Sequence, residues 1–332
     1  MDPTSFLAPG TSRPEAAKAI RDRIERLSAE LAEGRLSDPG RALRSDFSRI
    51  ALDEHGLVTL GARAATLASA ETWTDRVAST VGWIADRHGT LMTEATAAFG
   101  GENPAAQSAV AAQAEGLFRD MVSSLNASIG GRALFANGAG DPPMGGGEGI
   151  LAALRPIAAA AADPNTLVQD FDDFFAPGGS FETVHLSAFD VAPVRFGTGG
   201  DEAVAIRVDL DDPALRGALR DAALVALMNE SPARSVPGAA VALRTSLLER
   251  LGGTSADLTT LQARIGSTEA RLSRMSADLE AEALNRERAI SDALGADPFE
   301  TATRLQAEMG RLESIYAITA RRARLTLTGF LR

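Results

Sequence analysis

Apolar residues recur every three or four positions over most of this chain. From Pro298 to Arg332 the repeat falls on Leu305, Met309, Leu312, Tyr316, Thr319, Ala323, Thr326 and Phe330. That spacing predicts a helix with one semi-apolar stripe. Ile315, Ile318, Leu325, Leu327 and Leu331 add a second track. A helix apolar on two sides needs a partner, which is either its own domain or a neighbouring subunit in an assembly. Ile20, Ile24, Leu27 and Leu31 form a similar stripe near the other end. It follows a Ser12/Glu15 capping box with Pro14 in the first turn, and Gly34 stops it. Residues 1–11 read as a loose leader.

Between these ends the pattern predicts two long helices. The first runs from about Arg41 to Phe99, through Leu43, Phe47, Ile50 and Leu57 and then Thr74, Val77, Val81, Ile84, His88, Leu91 and Ala95. Unbroken, it is roughly 85 Å long; Gly56, Gly61, Gly82 and Gly89 weaken it and invite bends. The second runs from about Ala239 to Leu294, with a bend expected at Gly252-Gly253. Asn103-Pro104 opens a third helix carrying Phe118, Val122, Leu125 and Ile129. Residues 132–136 read as extended, and the glycine- and proline-rich 137–149 as a loop or boundary. From 138 to 237 the character changes. Helices are expected over Ile150–Ala161, Asn165–Phe175 and Pro213–Asn229, the last opened by Asp212. Strands are expected over Phe181–Phe189, Val191–Phe196 and Val204–Leu210. The resulting fold is mainly α: an elongated bundle of long antiparallel helices from both chain ends with a small inserted α+β domain. Its parts are terminal helices in 1–40 and 298–332, a long-helix bundle in 41–137 and 238–297, and the insert in 138–237.

Composition narrows the chemistry. With 332 residues and 45% hydrophobic content the chain can bury a substantial core. A net charge of −11 argues against a nucleic-acid surface. There is no cysteine, hence no disulfide, thiolate metal site or cysteine nucleophile. The start MDPTSFLAPGTSRPEAAK has no basic stretch followed by an apolar one, so no cleaved Sec-type signal is expected. No apolar run is long enough to span a bilayer. His55, His88 and His185 form no ligand pattern; His88 falls on a helical stripe and reads as a seam histidine. Asp209, Asp211 and Asp212 lack the rest of a calcium loop. Asp170, Asp172 and Asp173 read as a solvated face at a helix end. Gly145–Gly149 lacks the Lys-Ser/Thr of a P-loop and reads as a flexible hinge. Arg321, Arg322 and Arg324 suit the C-terminal end of a helix. No catalytic residue, cofactor or metal is expected.

The tail ESIYAITARRARLTLTGFLR resembles the carboxyl end of the flagellin superfamily. It is most similar to the hook-associated proteins of type 3, the hook–filament junction proteins, of alphaproteobacterial kind. The resemblance lies in Tyr316, Thr319, Arg321, Leu325, Leu327, Leu331 and Arg332. LAEGRLSDPGRALRSDFSRI resembles the family's first helix, Gly-Arg turn and long helix. Arg132-Ala133-Leu134-Phe135 and DDPALRGALRDAALVAL also have counterparts. The likeness covers about 14–137 and 211–332. Filament flagellins carry an Asn/Ser-rich start and an Asn-Ser-Ala-x-Asp-Asp-like turn. This chain has Arg35-Leu36-Ser37-Asp38-Pro39-Gly40 there, which favours the junction protein.

The resemblance implies a structural, non-enzymatic subunit, exported unfolded by the flagellar type III route to the extracellular flagellum without a cleaved signal. Its implied partners are copies of itself, a neighbouring hook-associated protein, flagellin and an export chaperone; nucleic acid and membrane are not among them. The implied assembly interface is Ile20, Ile24, Leu27, Leu31, Leu305, Met309, Leu312, Tyr316, Thr319, Ala323, Leu325, Leu327, Phe330 and Leu331. Three other readings stay open: a filament flagellin, a cytoplasmic coiled-coil adaptor, and an enzyme seated in 140–237.

Overall fold

The hydroxyl side chains of the long helices turn back onto their own backbone. In helix α3 (Ser48–Phe99) Thr59, Thr66, Ser69, Thr72, Thr74, Thr80, Thr90, Thr93 and Thr96 each donate to the carbonyl four residues earlier. They satisfy themselves and need no outside partner. Thr74 can therefore sit buried between Leu67 and Val81. The computed structural model describes residues 13–42, 47–101, 103–135, 142–186, 194–197, 203–206 and 208–330. They are mostly helical, with a few short strands. The leader, the Ser12 cap and Leu43 lie outside the described residues.

The helices before α3 are α1 (Arg13–Glu33) and the single turn α2 (Pro39–Ala42). Helix α3 begins at Ser48 and not at Arg41. It runs through all four of its glycines. Each glycine costs about 1 kcal/mol, while a buried Leu, Val or Ile contributes about 1.5–3 kcal/mol. Leu67, Val77, Val81, Ile84 and Leu91 are all buried, so tertiary packing wins. Asn103 caps α4 (Pro104–Leu125) as its sequence predicts, accepting from Ala105 N at 3.1 Å and Ala106 N at 3.2 Å.

Strands β1 (Ser128–Ile129) and β2 (Arg132–Ala133) form a hairpin across Gly130 and Gly131. Both glycines have positive φ, 58° and 78°, which a two-residue turn of this kind demands. The extended stretch is thus shorter than 132–136. Helices α5 (Gly147–Ala160) and α6 (Pro164–Phe175) follow the expected spans within a few residues. Strands β3 (Val194–Gly197) and β4 (Ala203–Ile206) pair antiparallel, Val194 opposite Ile206. Phe196 meets Trp73 edge-on at 6.4 Å, and Arg132 lies over the same indole at 5.7 Å.

The expected strand over 181–189 is not one. Phe181–His185 is a π-helical turn, closed by Leu186 N donating to Phe181 O at 3.1 Å; 187–190 lie outside the described residues. The Phe-Thr-His spacing mimics a strand. Burial decides otherwise: Phe181 is wholly buried against Phe175 at 4.8 Å, and Glu182 pairs with Arg216 at 2.6 Å.

Contacts divide the chain into two compact units, residues 1–60 with 280–332 and residues 61–279. The second is built around α7 (Pro213–Leu227). Asp212 caps it, accepting from Ala214 N at 3.0 Å. Almost every residue from Ala214 to Leu227 is buried, as befits a helix surrounded on all sides. Helix α4 lies along it through Ala111, Ala114, Phe118 and Met121, and α5 and α6 close other sides. Buried residues of 150–233 share one core with α3, α4 and α8 (Ala239–Leu294). Helix α8 passes through Gly252-Gly253 without interruption. In this unit Gly82 of α3 faces Gln262 of α8, and Gly100 faces Arg244, so the two helices run in opposite directions. In the other unit Arg286 of α8 reaches Asp53 of α3 at 3.5 Å, and Gly56 leaves the room its guanidinium needs.

Candidate assembly surface

The first unit brings the two sequence-predicted stripes together. Asp297 opens α9 (Pro298–Phe330), accepting from Phe299 N at 2.8 Å and Glu300 N at 3.1 Å. Gly34, with φ of 67°, ends α1. A backbone bridge then joins the two ends: Leu36 N donates to Leu294 O at 2.9 Å, and Ala296 N to Gly34 O at 3.0 Å. From that clamp α1 and α9 lie side by side and antiparallel, with Arg23 opposite Glu308 at 3.4 Å.

The seam is offset from the stripe read in the sequence. On α9, Thr301 and Glu308 are buried and Leu305, Leu312 and Ile315 half-buried. On α1, Ala17 is buried and Ile20, Ile24 and Leu27 half-buried. Among the expected interface residues, Ile20, Ile24, Leu27, Leu305 and Leu312 thus meet within one chain. Met309, Tyr316 and Thr319 turn outward; Met309 is 49% and Tyr316 50% exposed. Leu31 is 38% exposed, and Ile318 and Phe299, which the interface reading did not include, are 55% and 83% exposed. Every described side chain from Tyr316 to Arg321 is exposed. Ala323, Leu325, Leu327 and Phe330 lie on the helix, but their side chains, like those of Arg322 and Arg324, fall outside what the structure describes. Leu331 lies outside the described residues.

The offset has a plain cause. Steps of four and three from Leu305 pass through either Glu308 and Ile315 or Met309 and Tyr316. A sequence reading prefers the second path because Glu308 looks like a surface residue. Arg23 and Arg311 make the first path possible by donating to Glu308 Oε1 at 3.4 and 2.7 Å.

A second polar constellation lies in the other unit, and sequence reasoning missed most of it. His88 is fully buried on α3, and its Nε2–H donates to Asp221 Oδ2 on α7 at 3.0 Å. Thr254 Oγ1 of α8 donates to the same oxygen at 2.7 Å. Arg220 donates twice to Asp221 Oδ1, at 3.0 Å each. Arg250 bridges from Asp221 to Asp172 of α6, at 3.4 and 2.6 Å. Burial alone would raise the Asp221 pKa. The hydrogen bond from His88 and the charge of Arg220, with smaller contributions from the His88 charge and Thr254, outweigh it and hold the carboxyl below its ordinary value.

Asp172 is therefore an ion-pair partner and not a solvated face. The seam reading of His88 holds, with a partner 133 positions away that no local pattern announces. A cleft of about 660 Å³ opens beside these residues, lined by Asp172, Arg216, Arg220, Arg250 and Thr254. Its arginines already donate to Asp172, Asp211, Asp221 and Glu182. The arrangement does not make a nucleophile: Thr254 bonds Asp221 and not His88, and a hydrolytic triad needs the histidine in the middle.

The other sequence candidates are dispersed. His55 is exposed. His185 lies 5.8 Å from the Phe174 ring, and burial lowers its pKa. Asp212 caps α7 and pairs with Arg264, and Asp211 pairs with Arg216. The glycine stretch is anchored: Asn126 holds both polar backbone groups of Met144 at 3.1 Å, Gly145 N donates to His185 O at 2.9 Å, and Gly147 approaches the Arg119 backbone. Among the described residues, no group of three or more His, Asp or Glu could hold a metal ion. No described helix is long and apolar enough to cross a membrane. Comparison with protein-family models and with curated proteins finds no match.

Proposed function

We propose that this protein is a structural subunit of the bacterial flagellum that joins hook to filament. It is exported by the type III route and assembles outside the cell. One observation carries the reading: the two terminal helices pair with each other yet leave an outward apolar track of Met309 and Tyr316, two turns apart on one side of α9 and about half exposed. Exposed apolar tracks of this kind normally mark an interface. The Tyr316-to-Arg332 resemblance gives the assembly its identity. On this reading the opposed α3 and α8 form the bundle shell, residues 138–237 are an elaboration set into it, and the chain does no chemistry. Copies of the chain, a neighbouring hook-associated protein and flagellin would cover the outer track, and an export chaperone would hold α9 beforehand.

Immunogold labelling of isolated flagella tests this directly. A narrow band between hook and filament is expected. Label along the whole filament would make the protein a flagellin, and label confined to the cytosol would favour the adaptor reading and overturn the assignment.

A further inference from the structure

Helix α9 carries a carboxylate at the midpoint of its own seam. The inward residues are Thr301, Leu305, Glu308, Leu312 and Ile315, and Glu308 is 8% exposed. Its Oε1 accepts from Arg311 of the same helix and from Arg23 of α1, while Oε2 has no donor among the described residues. A leucine there would pack better and leave nothing unsatisfied. Polar residues at single seam positions set which helix pairs with which, at a cost in stability.

We infer that Glu308 is a partner-selecting residue: it directs α9 onto α1 and against a second α9. The geometry is simple. Position 308 lies midway between 301 and 315. If two α9 helices paired through this seam with full overlap, parallel or antiparallel, Glu308 of one would face Glu308 of the other. Two like charges would then share a desolvated seam. Facing α1, the same carboxylate meets Arg23, and Arg26, Arg304 and Arg311 line the same groove. Without this device the apolar Leu305, Leu312 and Ile315 would suit a self-pairing coiled coil. The inference goes beyond the flagellar reading and holds for whatever assembly the helix pair enters.

The test uses the full chain, which lacks native cysteine. Ser28→Cys and Thr303→Cys, both at exposed positions across the pair, carry spin labels. The parent chain should give one short distance that dilution with unlabelled protein does not change. Glu308→Leu should add a distance between two labels at position 303 on different chains, which dilution removes, and should self-associate at least tenfold more tightly in sedimentation. Glu308→Gln, which keeps the shape without the charge, should fall between. Arg23→Glu should weaken the intrachain distance, and combining it with Glu308→Arg should restore it. The inference is overturned if Glu308→Leu and Glu308→Gln keep the single intrachain distance and the parent's sedimentation, or if the charge-reversed pair does no better than Arg23→Glu alone.

Discussion

Helices α7 and α9 start alike and end differently. Each opens with an Asp-Pro pair, Asp212-Pro213 and Asp297-Pro298, whose aspartate caps the first turn. Helix α7 then vanishes into the core of its unit, whereas α9 buries one strip against α1 and leaves most of its other described side chains to solvent. The difference lies in side-chain size and charge spacing. Helix α7 is rich in alanine, which lets α4 approach closely, and its charges are gathered into the Arg216, Arg220 and Asp221 ion pairs. Helix α9 spreads arginine and glutamate around its circumference, and Arg304 bonds back to Glu300 within the helix. A shared start signal sets where a helix begins; small residues and placed charges decide whether it is scaffold or surface.

The largest contrast should come from the same substitution in both helices. Leu219→Asp places a charge where the native side chain is 1% exposed, and a loss above about 4 kcal/mol is expected. Met309→Asp or Tyr316→Asp should change monomer stability by less than about 0.5 kcal/mol, yet abolish assembly. Chemical denaturation and electron microscopy of assembled material read the two effects. Equal destabilisation in α7 and α9 would erase the distinction.

Next comes the hub on α7. Asp221→Asn keeps the shape but leaves Arg220 and Arg250 without their shared anion, at about 3 kcal/mol. The pH dependence has a definite sign. A carboxyl held below its ordinary pKa contributes stability above the unfolded value, and that stability is lost as pH falls through the native one. Acid denaturation of the parent should therefore steepen below about pH 4, the ordinary aspartate range. Asp221→Asn should flatten that limb, and an unchanged acid limb would remove Asp221 from the account.

The caps at Asn103 and Asp212 were legible in sequence, as were the extents of α8 and the start of α9, because caps and turns are written in adjacent residues. The centrality of α7 was not. Its stripe is no stronger than those of its neighbours α5 and α6, and what marks it is burial on every side. Asp221 follows Arg220 and looks like an ordinary surface charge until His88 and Thr254 arrive from distant helices. The inner track of α9 was missed for the reason that hid Asp221: a buried charge is recognised by its partner, and Arg23 lies far away in the chain.

The smallest expected effects come from two glycines. A Cβ at Gly217 would sit 3.1 Å from Thr254 Oγ1, and Thr254 is held in place by its bond to Asp221, so the crowding outweighs the gain in helix propensity and Gly217→Ala should cost up to about 1 kcal/mol. At Gly56 the obstacle is the flexible tip of Arg286. Gly56→Ala should lose the contact with Asp53 but gain helix propensity, leaving a net change under about 0.5 kcal/mol. Melting curves of both variants decide this, and a reversed order would mean that close packing around α7 is not what holds that unit.

Hydrogen exchange of the free chain, repeated on the hook–filament material into which we propose it assembles, tests the division between scaffold and surface most directly. The account predicts that the α7 amides are the slowest to exchange in both states. Amides of α9 should exchange far faster in the free chain, fastest from Tyr316 onward, and become protected on assembly. If α9 were as protected as α7 in the free chain, or gained no protection on assembly, the terminal helices would be part of the monomer's fold and not its joining surface.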